Sequence, residues 1–372
     1  MYAEPSEIRQ VAVLGAGNGG CAAAAHLVQQ GFELRLWNRS PQRMQGMRAQ
    51  GGIAYSGAIG EGFSPLSVLT TELKEALSGT QLVLCTVPTQ AHGEMAGLLA
   101  PHLDHRQILM ASPGHTLMLL PHLLREHGIP QPVFCETGTL PYICRMDGDS
   151  HVRITQAARD IAFAVFPAHA TGRIADLIRP VFATIRPVET ILDTVFTYSN
   201  AIHHPPAVLC NVGRIEATGG DYYHYYEGIS PAVGRLIDRL DRERLALGKA
   251  FGVKVAPFVE HFHRMGYTTE GARDSGLAYE AFHQSEPDRY IRAPSSLDHR
   301  FLNEDIPYGL VLLSELGRMS GVATTTADHL IDLASVAVGR DYRAQGLTLH
   351  KMGLEGCSPS ALLRLLKEGF AD

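Results

Sequence analysis

Apolar positions along this chain follow two different rhythms. Up to about residue 196, short apolar runs at 11–14 (VAVL), 33–38 (ELRLWN), 81–86 (QLVLCT), 107–111 and 132–135 predict buried parallel strands. The segments between them, at 21–30, 41–50, 71–78, 89–103 and 117–127, predict helices, and 53–55 and 66–69 predict two short strands. Sustained alternation of this kind predicts a doubly wound α/β sheet. Strands at 151–155 and 161–166 extend or close that domain, 170–185 reads as a helix, and 188–196 (VETILDTVF) reads as a last strand. Beyond residue 197 the spacing changes to three and four, at 208–217, 229–251, 255–265, 309–320, 324–338 and 358–370. Pro307 and Pro359 mark helix starts and Gly252 follows the long helix. The pattern therefore divides the chain into an α/β domain, 1–196, and an all-helical domain, 197–372.

The run 11–14 ends in Gly15-Ala16-Gly17-Asn18-Gly19-Gly20, a G-x-G-x-x-G turn followed by the small-residue helix CAAAAHLVQQ. Strand, glycine turn and helix in this order are the context in which that motif binds a dinucleotide. Gly15 permits the tight turn, Gly17 lets backbone approach a pyrophosphate, and Gly20 lets helix pack on strand. The N–H groups around Asn18 and Gly19 open the helix and face the phosphates. A glycine-rich turn that binds nothing is the plainer alternative. The second strand ends in Asn38-Arg39-Ser40, where an NAD site carries an acidic residue, so an arginine among small polar groups favours the 2′-phosphate of NADP(H), with NAD(H) the second choice. Val87 and Pro88 leave the next strand at the carboxyl edge of the sheet, where ligands lie.

A chain of 372 residues, 45% hydrophobic and 19% charged with net charge −6, has material for two cores and offers no electrostatic case for nucleic acid or an anionic membrane. The six cysteines show no C-x-x-C pair, which fits reduced thiols in a cytoplasmic protein. Neither a signal peptide nor a long apolar span is expected. Lys74, Lys249, Lys254, Lys351 and Lys367 are the chain's lysines, and none lies in a recognisable catalytic motif.

Three further stretches carry chemistry. In 200–205 (NAIHHP), two histidines precede Pro205, which is expected to hold them out of a regular helix and let one project into a cleft. A hydrogen-bonded structural pair is the alternative, and adjacent histidines without matching carboxylates make no metal site. In 300–309 (RFLNEDIPYG), Arg300 lies five residues ahead of Asp305. The guanidinium suits a bidentate grip on a substrate carboxylate and the carboxylate suits orienting a histidine, although Glu304 and Asp305 could equally serve the coming helix N-terminus. In 136–145 (ETGTLPYICR), Thr139 and Cys144 follow a parallel strand at the ligand-bearing edge, where a lone cysteine is also a common apolar filler.

The glycine turn, ETGTLPYICR, N-x-x-x-H-P and R-x-x-x-x-D-I-P, in this order and spacing, resemble the octopine and nopaline dehydrogenases, the opine dehydrogenase family, over about residues 11–344. The resemblance implies a Rossmann domain joined to a helical domain, and an oxidoreductase acting on CH–NH donors. Such an enzyme condenses a 2-oxo acid with the amino group of an amino acid through an imine, at the expense of NADH or NADPH. It implies His204 as catalytic histidine, Asp305 as its acidic partner, Arg300 as the substrate arginine, and Thr139 and Cys144 in the oxo-acid pocket. His115, in SPGHT, stands where some relatives have glutamine and belongs to the same pocket. Two other functions stay open: reduction of a small 2-oxo acid or ketone without an amine, and an NADP(H) sensor without turnover. The aromatic run Tyr222-Tyr223-His224-Tyr225-Tyr226 reads either as an amino-acid contact or as a packing surface, and a homodimer through the helical domain is the expected assembly.

Overall fold

The computed structural model describes residues 6–371. It divides into two compact units, one taking in the chain up to Val195 together with the stretch from Arg364 on, the other Phe196–Leu363. The terminal stretch thus packs with the first unit, where the expected boundary had left it in the helical domain. Within that first unit the Arg125 guanidinium lies 4.5 Å from the ring centre of Phe370, whose edge meets Phe166.

The first unit begins β1 (Gln10–Leu14), α1 (Asn18–Gln29), β2 (Glu33–Trp37), α2 (Gln45–Gln50), β3 (Gly52–Gly57), β4 (Gly62–Pro65), β5 (Val68–Thr70). It continues α3 (Leu73–Leu77), β6 (Leu82–Cys85), α4 (His92–Leu99), β7 (Ile108–Ala111), α5 (Leu119–Glu126), β8 (Phe134–Thr137). It then runs through β9 (Tyr142–Met146), β10 (His151–Ala157), β11 (Ile161–Phe166), α6 (Thr171–Ile178) and β12 (Ile185–Pro187). The main sheet has the order β12-β11-β8-β7-β6-β1-β2-β5, parallel except where β11 runs against β8. A second sheet, β4-β3-β10-β9, lies over α1. That second sheet explains the four consecutive alanines of α1. The helix is enclosed between β1 and β2 below and the small sheet above, Ala22 to Ala25 are all buried, and a bulkier residue on either face would hold the layers apart.

Several expectations give way here. The stretch 188–196 is not a strand: β12 precedes it, and α7 (Ile191–Thr197) occupies most of it. The β-branched residues suggested a strand, but hydrogen bonds of the Thr190 and Asp193 side chains turn the chain into a helix. The Asp193 carboxylate accepts the Thr190 N–H at 2.9 Å, and Thr190 Oγ1 accepts the Leu192 N–H at 3.3 Å. Capping bonds of this kind contribute about 1 kcal/mol to a helix start. The helix expected over 170–185 stops at Ile178, because Ile185 is taken by β12. β4 and β9 had not been expected; both belong to the second sheet, whose pairing is non-local.

The second unit is helical, with one isolated bridge between Tyr223 and Arg292. It contains α8 (Asn200–Leu209), α9 (Val212–Thr218), α10 (Pro231–Ala250), α11 (Phe258–Arg264), α12 (Glu270–Ser275) and α13 (Ala278–His283). After these come α14 (Arg300–Asn303), α15 (Val311–Ser320), α16 (Thr325–Val338) and α17 (Tyr342–Gln345), and α18 (Pro359–Glu368) ends the chain's helices. Ser230 caps α10 by accepting the Val233 N–H, and Pro231 sits at its first position, where the missing donor is harmless. Glu243 on α10 accepts two backbone N–H groups at the start of α16, Thr326 at 2.8 Å and Ala327 at 3.1 Å.

Candidate active site

His203, His204, Pro205 and Pro206 all lie inside α8, contrary to the expectation that Pro205 would keep the histidines out of a helix. Each proline forfeits one backbone donor. The whole run from Ala201 to Leu209 is nevertheless buried, and Gly309 packs directly onto Ala201, so tertiary packing outweighs the lost bonds. The two imidazole rings meet edge to face, 4.3 Å between centres. His203 enters an aromatic core with Phe258 and Phe282, at ring distances of 5.5 and 5.2 Å. His204 turns toward Asp305.

Asp305 stands immediately before a widened π-type turn, Ile306–Leu310, that leads into α15. Turns of this kind recur at functional sites because the extra residue redirects a side chain. Asp305 is fully buried and its Oδ2 lies 2.6 Å from His204 Nδ1. Its other oxygen accepts the Tyr198 hydroxyl. When ionised, the Asp305 carboxylate can only accept, and His204 then carries its proton on Nδ1 and presents Nε2 as an acceptor. Tyr225 places its hydroxyl 2.8 Å from that Nε2. Phe301, on α14, stacks on the imidazole at 3.7 Å with the planes 20° apart.

Burial dominates the electrostatics. It lifts the Asp305 carboxyl to about 7, against the opposing pull of the Tyr198 bond and the charges of Arg300 and His299. It also drives His204 well below the ordinary histidine range, reinforced by Arg300 and His299. Burial thus favours the neutral form of both groups.

Arg300 lies one turn before this carboxylate but pairs with Glu304, Nε to Oε2 at 3.0 Å. Its side chain is half-exposed while that of Glu304 is buried. The guanidinium therefore keeps a solvent-facing edge able to fork onto a carboxylate.

In the first unit the glycine turn has the geometry of a phosphate cradle. Gly15 has φ +109°, and a Cβ on Gly20 would fall 1.7 Å from the Gly15 carbonyl oxygen, so both positions need glycine. Around Gly17, which caps α1 without a side-chain bond, there is open space. A pyrophosphate fits this cradle: free N–H groups, no acidic side chain in the first turn, and no Cβ in the way. Gly19 is packed instead against Leu140, and the Asn18 side chain accepts the Met146 N–H. Asn38 holds the turn itself, accepting the Ala16 N–H at 2.9 Å and donating to the Ser40 carbonyl. Ser40 Oγ donates to Gln42, Val87 flanks Gly15, and Pro88 is exposed beyond β6. Arg39 reaches from the end of β2 to Glu94 on α4, at 2.8 Å, both side chains exposed.

The oxo-acid candidates separate. Thr139 is exposed in the loop after β8. Cys144 is not: it is buried in the same core as Cys21 and Tyr142, and burial pushes its thiol to about 11. Its alternation on β9 turns it inward against α1, so it fills space rather than lining a pocket. His115 is buried at φ +57°, its Nε2 3.2 Å from Thr89 Oγ1 and its backbone N–H 3.2 Å from Glu136 Oε1. Glu136 itself is fully buried, and burial pushes its carboxyl up to about 8.

Tyr198, Tyr225 and Phe301 were not singled out from the sequence. Tyr225 lay inside the aromatic run already noted, but five adjacent rings carry no signal of which one faces a histidine. In the fold Tyr222, His224 and Tyr225 are buried, while Tyr223 and Tyr226 lie nearer the surface against Arg292 and Arg289. The run is thus partly packing and partly site.

Residues 187–338 match the family described as NAD/NADP octopine/nopaline dehydrogenase, alpha-helical domain, and residues 10–117 match NAD-dependent glycerol-3-phosphate dehydrogenase N-terminus. The chain is 33% identical to an opine dehydrogenase of Arthrobacter sp. (strain 1C), over 96% of this chain and 98% of the relative. This chain belongs to the opine dehydrogenase family. Another relative is the ocs protein of Agrobacterium tumefaciens (strain Ach5), 24% identical over 96% of this chain and 99% of that one. Among solved structures, an octopine dehydrogenase with NADH and L-arginine aligns at TM-score 0.77 and 18% identity, covering 98% of this chain and 99% of that one. A yersinopine dehydrogenase with NADP+ bound aligns at 0.76 and 16% identity, covering 98% of each chain. Opine dehydrogenases are nicotinamide-dependent oxidoreductases, and the fold seen here, a Rossmann-type sheet with a helical domain, is theirs. Among the described residues no helix is long and apolar enough to cross a membrane.

Proposed function

We propose that this opine dehydrogenase condenses a 2-oxo acid with the amino group of an amino acid and reduces the resulting imine, preferring NADPH. The observation that carries the reading is the buried His204–Asp305 pair, 2.6 Å apart and held on its far sides by Tyr225 and Tyr198. His204 acts as general base and then general acid: neutral Nε2 takes a proton from the amino group as it adds to the oxo carbon, and the imidazolium so formed gives that proton to the carbinolamine hydroxyl, which leaves as water. Asp305 fixes the tautomer and stabilises the imidazolium that forms in between. Arg300 grips the oxo-acid carboxylate, and Thr139 and His115 belong to its recognition.

The reduced nicotinamide supplies the hydride to the imine carbon when bound. Gly15, Gly17 and Gly20 shape the turn that takes its pyrophosphate, and Arg39 with Ser40 recognises the 2′-phosphate. Solved relatives of the same fold hold NADH with L-arginine, NADH with pyruvate, or NADP+, which is consistent with this division of labour.

The deciding experiment is a grid of oxo acids against amino acids, read as NADPH oxidation. Oxidation that requires both partners supports condensation. Oxidation with an oxo acid alone assigns a simple ketone reductase, and tight cofactor binding without oxidation for any pair assigns a sensor.

A further inference from the structure

The nitrogen of His204 that must meet substrate is already occupied. Tyr225 Oη lies 2.8 Å from Nε2, and with Asp305 ionised and accepting the Nδ1–H, the phenol is the donor in this bond. The contact is built rather than incidental. The Tyr225 ring stacks on Phe282 at 5.1 Å with the planes 2° apart. Its loop is tied to a neighbouring segment by backbone bonds, His224 N–H to the Ile291 carbonyl at 2.7 Å and Ala293 N–H to the Tyr222 carbonyl at 3.0 Å. Burial, with the nearby carboxylates Asp288 and Asp305, holds the phenol well above its ordinary pKa, so the hydroxyl keeps its proton. Phe301 covers one face of the imidazole. With Asp305 at one nitrogen, Tyr225 at the other and Phe301 on the ring, His204 has one orientation.

We infer that Tyr225 is a positioning residue for the proposed reaction, its hydroxyl standing on His204 Nε2 in place of the reacting oxygen and yielding that nitrogen when the oxo acid arrives. The inference rests on the reading of His204 as the proton-handling group. A phenol suits the task because its O–H rotates: it donates to neutral Nε2 and accepts from Nε2–H, so the ring stays aligned in both protonation states. An alcohol-sized oxygen at hydrogen-bond distance also matches the position a substrate oxo or hydroxyl group must take to exchange a proton with this nitrogen.

Tyr225→Phe keeps the stack on Phe282 and removes only the hydroxyl. The expected result is a split in the kinetic constants. kcat falls by roughly ten-fold or more as the imidazole loses its alignment, while KM for the oxo acid stays level or falls, because nothing has to be displaced. A second readout needs no turnover. In protein labelled with 15N at histidine, with the His204 signals assigned by their loss in His204→Gln, Tyr225→Phe shifts the Nε2 resonance toward that of an acceptor without a donor. Unchanged kcat together with an unchanged Nε2 resonance overturns the inference. So does a lowered kcat matched by a raised oxo-acid KM, which is what general damage to the pocket produces. If the parent enzyme reduced an oxo acid without any amine, the condensation reading would fail, and the same split and the same resonance would still judge Tyr225 on that reaction. If no substrate turned over, the resonance alone would decide.

Discussion

Asp305 holds His204 through a 2.6 Å bond between residues 101 positions apart in the chain, with both side chains buried inside the helical unit. Neither group would be left unpartnered there without cost, since a buried carboxylate or imidazole lacking its hydrogen bond is destabilised by several kcal/mol at most and about 1 at least. The pair is a structural tie as well as the proposed acid–base centre. Asp305→Asn keeps the size and one acceptor but no longer selects the tautomer. We expect kcat for condensation to fall roughly 10²- to 10⁴-fold in Asp305→Asn and in His204→Gln, with cofactor affinity measured by fluorescence titration within a few-fold of the parent. Retention of near-parental kcat by either variant refutes the assignment.

Removing the Arg300 guanidinium takes a 3.0 Å partner from the buried Glu304 carboxylate, so its variants should lose some stability, and their fold is checked by circular dichroism before kinetics. In Arg300→Ala the oxo-acid KM is expected to rise roughly ten- to hundred-fold, the loss of a charge-assisted fork, with a smaller change in kcat. Arg300→Lys should recover only part of it, because an ammonium cannot make the parallel pair of bonds. A KM that stays level for every carboxylate substrate rules out the grip.

Arg39 is shared between Glu94 and the 2′-phosphate it is proposed to bind. In Glu94→Gln the guanidinium no longer has a competing carboxylate, and kcat/KM for NADPH should increase while that for NADH changes little. Arg39→Ala should lower the NADPH value by roughly ten-fold and leave the NADH value within a few-fold. A parental NADPH/NADH ratio at or below one would end the preference outright.

Glu136 gives a pH signature of its own. Its carboxyl is pushed from the ordinary range to about 8 by burial, so between about pH 4.5 and 8 the folded chain keeps a proton that the unfolded chain releases. Stability from this group is therefore full at low pH and is lost as pH rises toward 8. Glu136→Gln cannot ionise and escapes that loss. Denaturant unfolding at pH 5.5 and 8.5 should show the variant gaining on the parent at the higher pH, by up to a few kcal/mol. An equal difference between variant and parent at both pH values would contradict this account of the carboxyl.

Much was legible in the residues alone, and for a physical reason. The glycine turn, the alternation of apolar runs and the change of period near residue 197 are local patterns, set by backbone geometry and by burial on one or both faces, and β1, α1, β2, β6, β7 and α10 follow from them. His204, Asp305 and Arg300 were named through short motifs. Other features depended on partners distant in sequence. α8 runs through two prolines because its surroundings bury it, and Cys144 turned inward because β9 joins a sheet of non-local pairings. Tyr225 could be seen only as one ring in five. Local chemistry determines what kind of element and which reactive groups a chain contains; which ring meets which nitrogen is decided by packing, since only the folded core brings residues a hundred apart to hydrogen-bond distance.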